Sequence, residues 1–187
     1  MAIGSGFGDI LDSARRGDER SLEVLYRDLA PAVLGYMRGQ RAAEPDDLTS
    51  EVFLAVARGL GRFRGDEAAF RSFVFTIAHR RLIDERRRLH RSKEFPVDAA
   101  TLAETHTPGT AGDAEQEALD RLGRRWVDEA LATLTDEQRA VILLRVVADL
   151  PVLEVARILG KPEGAIKALQ RRGLRFLART IEPEGVS

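Results

Sequence analysis

The apolar residues of this chain recur at steps of three and four along most of its length, and the two-residue alternation typical of half-buried strands is almost absent. This pattern predicts amphipathic helices rather than a sheet. It is interrupted over residues 93–112, which contain two prolines, two glycines and four threonines. Such a composition is typical of a flexible linker. We therefore predict an all-α fold: two small helical domains, 1–92 and 113–187, joined by a flexible linker over 93–112.

Helix signals divide the first half into three segments. Asp18 is a suitable N-cap for the first helix, in which Pro31 is expected to cause a kink. The second helix follows Pro45 and has acidic residues near its start. Negative charges there interact favourably with the positive end of the helix dipole. The third is predicted from about Glu67 to Leu89.

Helices are expected to resume near Asp113 and to continue through the segment 136–147. The last stretch, 150–180, is predicted to break at Gly160 and Pro162 into a short helix and a long one.

Composition excludes several functional classes. The chain has 187 residues and no cysteine, which rules out disulfides, cysteine-ligated metals and thiol catalysis. No apolar run approaches the ~20 residues of a membrane helix, and residues 1–9 lack the features of a secretory signal. We therefore expect a cytoplasmic protein with no membrane insertion and no cofactor.

The net charge of −1 conceals a strong segregation of charge. Residues 70–93 carry eight basic and two acidic side chains, a net charge of +6, and residues 138–187 carry +4. The segment between them, 94–137, carries −8. Two basic blocks around an acidic middle indicate two surfaces for a polyanion. Solvated arginine-rich helix faces remain the alternative explanation.

The segment after Leu150 has the pattern of a helix-turn-helix. Small Ala156 suits the crossing of two helices, and Gly160 can adopt the left-handed conformation of a tight turn. A unit of this kind places its second helix in the DNA major groove. The pattern of apolar positions that closes the angle between the helices consists of Val152, Val155, Leu159, Ile166 and Leu169.

The second helix of this unit has two different faces. Its inner face is predicted to contain Ile166, Leu169, Gly173, Phe176 and Leu177. The opposite face has cations at four-residue steps, and such a row can contact phosphates or guanine edges. Those cations are Lys167, Arg171, Arg175 and Arg179. A helical hairpin with a solvated basic face is the alternative.

Aromatic residues accompany arginines in the first half. Phe53, Phe70 and Phe73 fall on predicted inner faces and are expected in the core. Phe63 and Phe75 are predicted to be exposed, where an aromatic ring can stack on a base of single-stranded DNA while cations follow the backbone. Packing of Phe75 on another helix is the alternative.

Two strings of sequence resemble a known family. DDLTSEVFLAVARGLGRFRGDEAAFRSFVFTIAHRRLIDERRR is similar to the second conserved region of bacterial RNA polymerase sigma factors of the extracytoplasmic-function (ECF) type. LTDEQRAVILLRVVADLPVLEVARILGKPEGAIKALQRR is similar to their fourth region. The order and separation of the two strings fit that family, and the resemblance extends from about Gly17 to Arg179.

The resemblance implies a role for each part of the chain. The helix after Pro45 would dock on the β′ clamp of core RNA polymerase, through Asp47, Leu48, Ser50, Glu51, Phe53 and Leu54. The loop over 63–68 would capture a base flipped from the minus-ten promoter element, which the next helix would contact and help to melt. The residues implied in minus-ten binding are Phe63, Arg64, Arg71, Phe75, His79, Arg80 and Arg81.

The C-terminal domain would lie at the β flap and read the minus-thirty-five element. The residues implied are Lys161, Glu163, Gly164, Lys167, Ala168, Arg171, Arg172 and Arg175. The linker would thread toward the polymerase active-centre cleft. Promoter DNA and core RNA polymerase are therefore the expected partners, and the family also implies an anti-sigma factor.

The chain departs from the family pattern at four positions. Ser50 replaces a frequent Gln, Arg80 replaces a common Asn, and Ala165 and Ala168 stand where Thr and Ser are usual. These departures affect polar contacts and leave the packing positions intact.

Two other functional classes are the alternatives, a stand-alone regulator and an enzyme. A stand-alone dimeric helix-turn-helix regulator would bind its operator without polymerase. A metal-dependent hydrolase would need the acids near Pro45 and His79 to act together, but no histidine stands at metal-ligand spacing with Asp46, Asp47 or Glu51. The sequence therefore favours a binding protein over an enzyme.

Overall fold

The computed structural model describes residues 3–94 and 125–181, and these residues form helices with no strand among them. The all-α prediction is therefore confirmed. The elements are a 3₁₀ turn at Gly4–Gly6, α1 (Phe7–Arg15), α2 (Glu19–Gly39), α3 (Pro45–Gly59), α4 (Glu67–Glu94), α5 (125–132), α6 (Asp136–Val146), α7 (Val152–Leu159) and α8 (Glu163–Ile181).

The predicted linker lies outside the described residues, except for its first two positions, which still belong to α4. The helix expected from Asp113 also lies outside them as far as residue 124.

Local capping explains where the helices begin. The Asp18 carboxylate accepts a hydrogen bond from the backbone N–H of Ser21 at 2.8 Å, so it caps α2 as predicted. Helix α2 continues through Pro31. Thr135 begins α6 with a capping box, in which its side chain and that of Gln138 each accept from the other's backbone N–H.

Helices α1 to α4 pack around an apolar core. Helix α1 buries Phe7, Leu11 and Ala14 against this core. This helix is absent from the sequence-based prediction, although its apolar residues have the three- and four-residue spacing that would have indicated it. One end of the core is a cluster of aromatic rings, in which Phe7, Phe63 and Phe73 contact the buried Phe70.

The two halves contact each other. Helix α2 packs on α6 and α4 on α7. At the first contact, an added Cβ on Gly39 would lie only 2.8 Å from Leu143 Cδ1, so glycine is what allows this close approach. At the edge of the interface, Arg86 Nη1 lies 3.8 Å from Asp136 Oδ2. The halves therefore form one packed body in this arrangement.

Candidate functional site

The helix-turn-helix has the predicted geometry. Gly160 ends α7 in the left-handed conformation, with φ of 62°. Of the side chains that close the angle between α7 and α8, Val155, Ile166 and Leu169 are buried, and Val152 and Leu159 are half-buried. Burying an aliphatic side chain of this size contributes roughly 1.5–3 kcal/mol to folding. The prediction that Phe176 lies on the inner face of α8 is wrong, because this residue is 44% exposed.

The outer face of α8 presents a row of cations. Lys167, Arg171, Arg175 and Arg179 are all exposed, and no ion pair within the described residues engages them. An open groove of about 410 Å³ passes beside the first three. Because no described carboxylate pairs with them, these side chains are available to phosphates or base edges.

The other predicted minus-thirty-five residues surround the start of α8. Glu163, Gly164 and Arg172 are exposed, and Ala168 is half-buried. Lys161 differs from them, because its Nζ lies 2.7 Å from a carboxylate oxygen of Glu137 on α6. That pair ties the turn of the helix-turn-helix to the helix beneath it.

The arginines of α4 occupy different environments. Arg71 is mostly buried and pairs with Asp28 of α2, Nη2 to Oδ2, at 3.6 Å. Arg81 Nη1 lies 3.6 Å from Glu51 Oε2 on α3. Arg80, in contrast, is exposed. The structure thus places Arg71 and Arg81 in contacts between helices, whereas Arg80 faces solvent.

Phe75 was predicted to be exposed, and that prediction is wrong. Its ring has no exposed surface and packs edge-on against Tyr36, with ring centroids 5.9 Å apart. Phe75 faces a different side of α4 from Phe73. That side is covered by α2, so the ring of Phe75 is also buried in the core. In this structure it cannot stack on a base.

His79 belongs to the same buried contact. Its Nδ1 lies 2.9 Å from the Tyr36 hydroxyl. Burial, aided by the nearby Arg86 guanidinium, lowers the pKa of His79 below its ordinary value. Burial also raises the pKa of Tyr36. His79 is therefore a hydrogen-bonded packing residue here, and the structure does not support the predicted direct role in DNA binding.

Phe63 lies in the α3–α4 loop, residues 60–66, but its ring turns inward. It stacks on Phe73 with centroids 5.2 Å apart and meets Phe70 at 5.4 Å. The exposed position predicted for this ring is therefore wrong. The loop keeps Arg64 exposed, and the Arg64 guanidinium donates to the carbonyls of Gly61 and Phe63.

Gly65 shapes the α3–α4 loop. Its φ is +152°, a conformation that residues with a side chain rarely adopt, and an added Cβ would lie 2.7 Å from Ala69 Cβ and 3.1 Å from Phe63 Cζ. Asp66 then caps α4 by accepting from the Ala69 backbone N–H at 2.8 Å. The loop thus has a defined conformation.

The predicted polymerase-docking residues divide into outer and inner positions on α3. Asp47 and Ser50 are exposed, and Leu54 is 57% exposed. Glu51 and Phe53 are half-buried. Leu48 is buried in the core, so its predicted contact with a partner is wrong for this structure; it faces inward because it shares the inner face of α3 with Val52 and Val56.

An apolar groove of about 520 Å³ lies between α2 and α3. Leu54 and Phe53 line it from α3, and Leu22 and Tyr26 line it from α2. The rings of Tyr26 and Phe53 are 4.7 Å apart. An exposed apolar groove next to acidic side chains suits an amphipathic protein surface.

Sequence reasoning missed a basic groove near the end of α4. This open groove has a volume of about 850 Å³. Its basic lining residues are Arg81, Arg86, Arg87, Arg88, His90 and Arg91, and Ile83 and one acid, Asp84, complete it. The high positive charge of residues 70–93 was the signal for it, but the site prediction stopped at Arg81. The groove extends the basic surface of α4 by more than two helical turns.

The acidic residues that a metal-dependent hydrolase would use do not form a common site with His79. Asp46 pairs with Arg38, Glu51 pairs with Arg81, and His79 contacts Tyr36. In the parts of the chain that the structure describes, no group of three His, Asp or Glu side chains could hold a metal ion. None of the described helices is long and apolar enough to cross a bilayer.

Comparisons with known families match both halves of the chain. The family described as Sigma-70 region 2 matches residues 25–92, and that described as Sigma-70, region 4 matches residues 124–177. The first match begins within α2 and ends near the end of α4, and the second covers α5 to α7 and most of α8.

Curated relatives are similar over nearly the whole chain. The ECF RNA polymerase sigma factor SigL of Mycobacterium tuberculosis is 31% identical over 95% of this chain and 98% of its own length. The ECF RNA polymerase sigma factor BldN of Streptomyces coelicolor is 30% identical over 92% of this chain, which spans 65% of the length of BldN.

The fold also resembles a solved structure. The sigma factor RpoE of Bartonella quintana, crystallised with the anti-sigma factor NepR, superposes with a TM-score of 0.63 at 17% identity. The match covers 87% of this chain and 98% of that one.

Proposed function

Because the chain belongs to the RNA polymerase sigma factors of the ECF type, we propose that it binds core RNA polymerase and directs it to specific promoters. The observation that carries this proposal is the presence of sigma regions 2 and 4, in that order, in one chain. The exposed row of cations on α8 and the basic groove on α4 supply the two DNA surfaces that such a function needs.

Helix α3 and the apolar groove beside it are proposed as the surface for the polymerase clamp. Leu54 is the large apolar side chain of α3 that is exposed, and acidic Asp47 lies at the N-terminal end of the helix. An apolar contact supplies affinity, whereas the charged rim supplies orientation. Ser50 forms a hydrogen bond to the Asp46 carbonyl, so the proposed docking relies less on its hydroxyl.

The minus-ten element is proposed to bind along the outer face of α4 and at the α3–α4 loop. Arg80 and the exposed arginines of the basic groove, Arg87, Arg88 and Arg91, would follow the backbone. The loop would receive the flipped base above the inward-turned Phe63. Removing a base from the stack costs a few kcal/mol. With Phe63 and Phe75 packed inside, that cost is offset by charge and loop contacts more than by aromatic stacking.

The minus-thirty-five element is proposed to bind the outer face of α8. Lys167 lies near the start of that helix, the part that meets base edges in helix-turn-helix proteins, and Arg171 follows one turn later on the same face. The half-buried Ala165 and Ala168 offer no hydroxyl to DNA, so readout here rests on cations and shape.

Tethering both DNA surfaces to one polymerase explains how two modest contacts can select a promoter. Each contact raises the effective concentration of DNA at the other. The free protein is therefore expected to bind DNA weakly, with an affinity that falls steeply as salt rises. An anti-sigma factor is a further proposed partner, supported by the family and by the fold shared with a sigma factor solved in such a complex.

A promoter-opening assay tests the function. Purified protein, core RNA polymerase and a library of random-sequence duplexes are mixed, and opened DNA is detected by permanganate-reactive thymines. Opening that requires core, at two sequence blocks separated by a fixed spacer, is the expected result. Strong specific binding that ignores core and opens nothing would replace the proposal with a stand-alone regulator.

Variants of α8 locate the upstream contact. Lys167→Ala and Arg171→Ala should lose selectivity only at the upstream block, by roughly 1–3 kcal/mol for each base contact. Arg27→Ala is the matched control, because it removes one exposed arginine from α2 with the same change in charge. If the α8 variants instead lose affinity for core polymerase, the assignment of α8 to DNA fails.

A further inference from the structure

The N-terminal segment, residues 3–17, lies outside the residues that match sigma region 2. It is nevertheless an integral part of the first half. Phe7 is buried and its ring lies 5.6 Å from that of Phe70, beneath the α3–α4 loop. Helix α1 packs along α2 through Leu11 and Ala14. The segment thus lies against both the start of α4 and the loop that precedes it.

Arg15 forms hydrogen bonds to the first half of the α3–α4 loop. Its Nε donates to the Leu60 carbonyl at 3.4 Å, and its Nη2 donates to the Phe63 carbonyl. Its Nη1 donates to Asp12 at 2.7 Å, which holds the guanidinium in place. Carbonyls at the end of a helix lack partners within the helix. Arg15 adds donors from another helix to these carbonyls. The Leu60 carbonyl also accepts from the Phe63 amide, and the Phe63 carbonyl also accepts from Arg64.

The same segment also forms hydrogen bonds to the residue that follows the loop. The backbone N–H groups of Ile3 and Gly4 donate to the two carboxylate oxygens of Glu67, at 2.7 and 2.9 Å. Glu67 is the first residue of α4, directly after the loop. The loop is consequently held at both ends by residues 3–15.

We infer that Arg15 is a positioning residue for recognition of the minus-ten element: it fixes the α3–α4 loop in the conformation that receives the flipped base. The inference rests on the proposed function, in which that loop is the base-binding element. A loop that is already ordered loses less conformational entropy when DNA binds. Base discrimination depends on such order, because a mobile loop can adapt to the wrong base.

The guanidinium suits this task better than an ammonium group. The planar guanidinium of arginine has five N–H donors and can donate to two carbonyls and a carboxylate at once. The three donors of lysine are all on one nitrogen atom. Only 20% of the Arg15 side chain is exposed. Its donors point to the loop and to Asp12, so it acts through the loop and not as a phosphate contact.

The neighbouring Arg16 provides a matched control. It is exposed, and its guanidinium donates to the Ser13 hydroxyl of its own helix at 2.9 Å. Arg16→Ala removes the same charge from almost the same place without disturbing the loop. Arg15→Lys keeps the charge of Arg15 but cannot span both carbonyls.

The first measurement is hydrogen exchange on the full chain without polymerase, so it does not depend on the proposed function. The Phe63 amide donates to the carbonyls of Gly59 and Leu60, and Arg62 donates to Gly59. Arg15→Ala should speed exchange at these amides, while the Arg16→Ala variant exchanges as the wild type does. Unchanged exchange in Arg15→Ala would overturn the inference.

The second measurement uses the holoenzyme reconstituted with core polymerase. Opening rates are compared on promoters substituted at one minus-ten position at a time. The preference at a specifically read base pair is roughly 5- to 150-fold, and Arg15→Ala should reduce it at least about threefold at a single position. Arg15→Lys should fall between Arg15→Ala and wild type, and Arg16→Ala should match wild type.

The outcomes separate the inference from the function on which it rests. Equal slowing on every promoter with unchanged preference, or the same loss in Arg16→Ala, would overturn a positioning role. If the wild-type holoenzyme opens no promoter, the proposed function fails, whatever the exchange experiment shows. If Arg15→Ala does not fold, as judged by circular dichroism, Arg15→Lys decides both measurements.

Discussion

At the scale of single residues, the partner of each arginine in α4 determines what that arginine can do. Arg71 is mostly buried against Asp28 and is committed to holding α4 on α2. Arg80 is exposed and available to a ligand. The two arginines have the same charge and lie on the same helix, so the sequence alone does not distinguish them. The packing of α2 and α3 on α4 determines which one is structural and which one is available for binding.

Exchanging these two arginines for alanine should separate stability from DNA binding. Arg71→Ala leaves a buried carboxylate without its guanidinium partner, and we expect a loss of roughly 1–3 kcal/mol in the free energy of unfolding. Arg80→Ala should leave stability within about 0.5 kcal/mol of wild type, as is usual for exposed positions, but weaken promoter opening. Urea unfolding and the opening assay measure the two effects. Equal stability of both variants would contradict this account.

The buried contact between His79 and Tyr36 should make stability depend on pH. The pKa of folded His79 lies below its ordinary value of 6.5, so the unfolded chain takes up this proton first as the pH falls. This contribution to stability is therefore complete above pH 6.5 and is lost progressively below it. For one proton the slope is at most about 1.4 kcal/mol per pH unit.

Urea unfolding at a series of pH values between 7.5 and 5 measures that slope. His79→Asn, which keeps a polar atom near the Tyr36 hydroxyl, should flatten the curve. A curve that His79→Asn does not alter would assign the pH dependence to other groups.

At the scale of elements, the α3–α4 loop depends on one glycine. Gly65→Ala adds a Cβ where Ala69 Cβ is 2.7 Å away, and it demands a φ of +152° from a residue that avoids it. Strain of this kind costs roughly 1–3 kcal/mol. Thermal unfolding should show a lower Tm for Gly65→Ala. Gly61→Ala, with open space and no positive φ, is the control; an equal fall in both would disprove the role given to Gly65.

Sequence periodicity was sufficient for the helices and for the helix-turn-helix, because buried faces such as that of Val155 and Ile166 repeat with the helical period. It was insufficient for Phe63, Phe75 and His79. A residue that faces away from the main stripe of its helix can still be covered by another element. Periodicity describes one helix at a time, whereas burial depends on its neighbours.

At the scale of the whole molecule, the two halves are in contact through small residues. Gly39→Leu would force a side chain into Leu143, so we expect the α2–α6 contact to open. At Gly35 the nearest side chain, Val147, would be 3.5 Å from an added Cβ, so Gly35→Ala should leave the contact closed.

Fluorescence transfer can report this opening, because the chain has no cysteine and accepts labels only where cysteines are introduced. Arg27→Cys and Arg157→Cys provide one exposed position on each half. Transfer efficiency should fall in the Gly39→Leu background and stay constant in Gly35→Ala. Constant efficiency in both would show that the halves do not depend on this glycine to stay together.

The hydrogen bonds from Arg15 and from the Ile3 and Gly4 amides also bear on how such proteins can be recombined. A chimera joined at residue 25, where the similarity to region 2 begins, would separate the loop from the helix that holds it. A chimera joined ahead of residue 3 would transfer both together. Promoter preference should therefore move between hybrid proteins only with the second kind of junction.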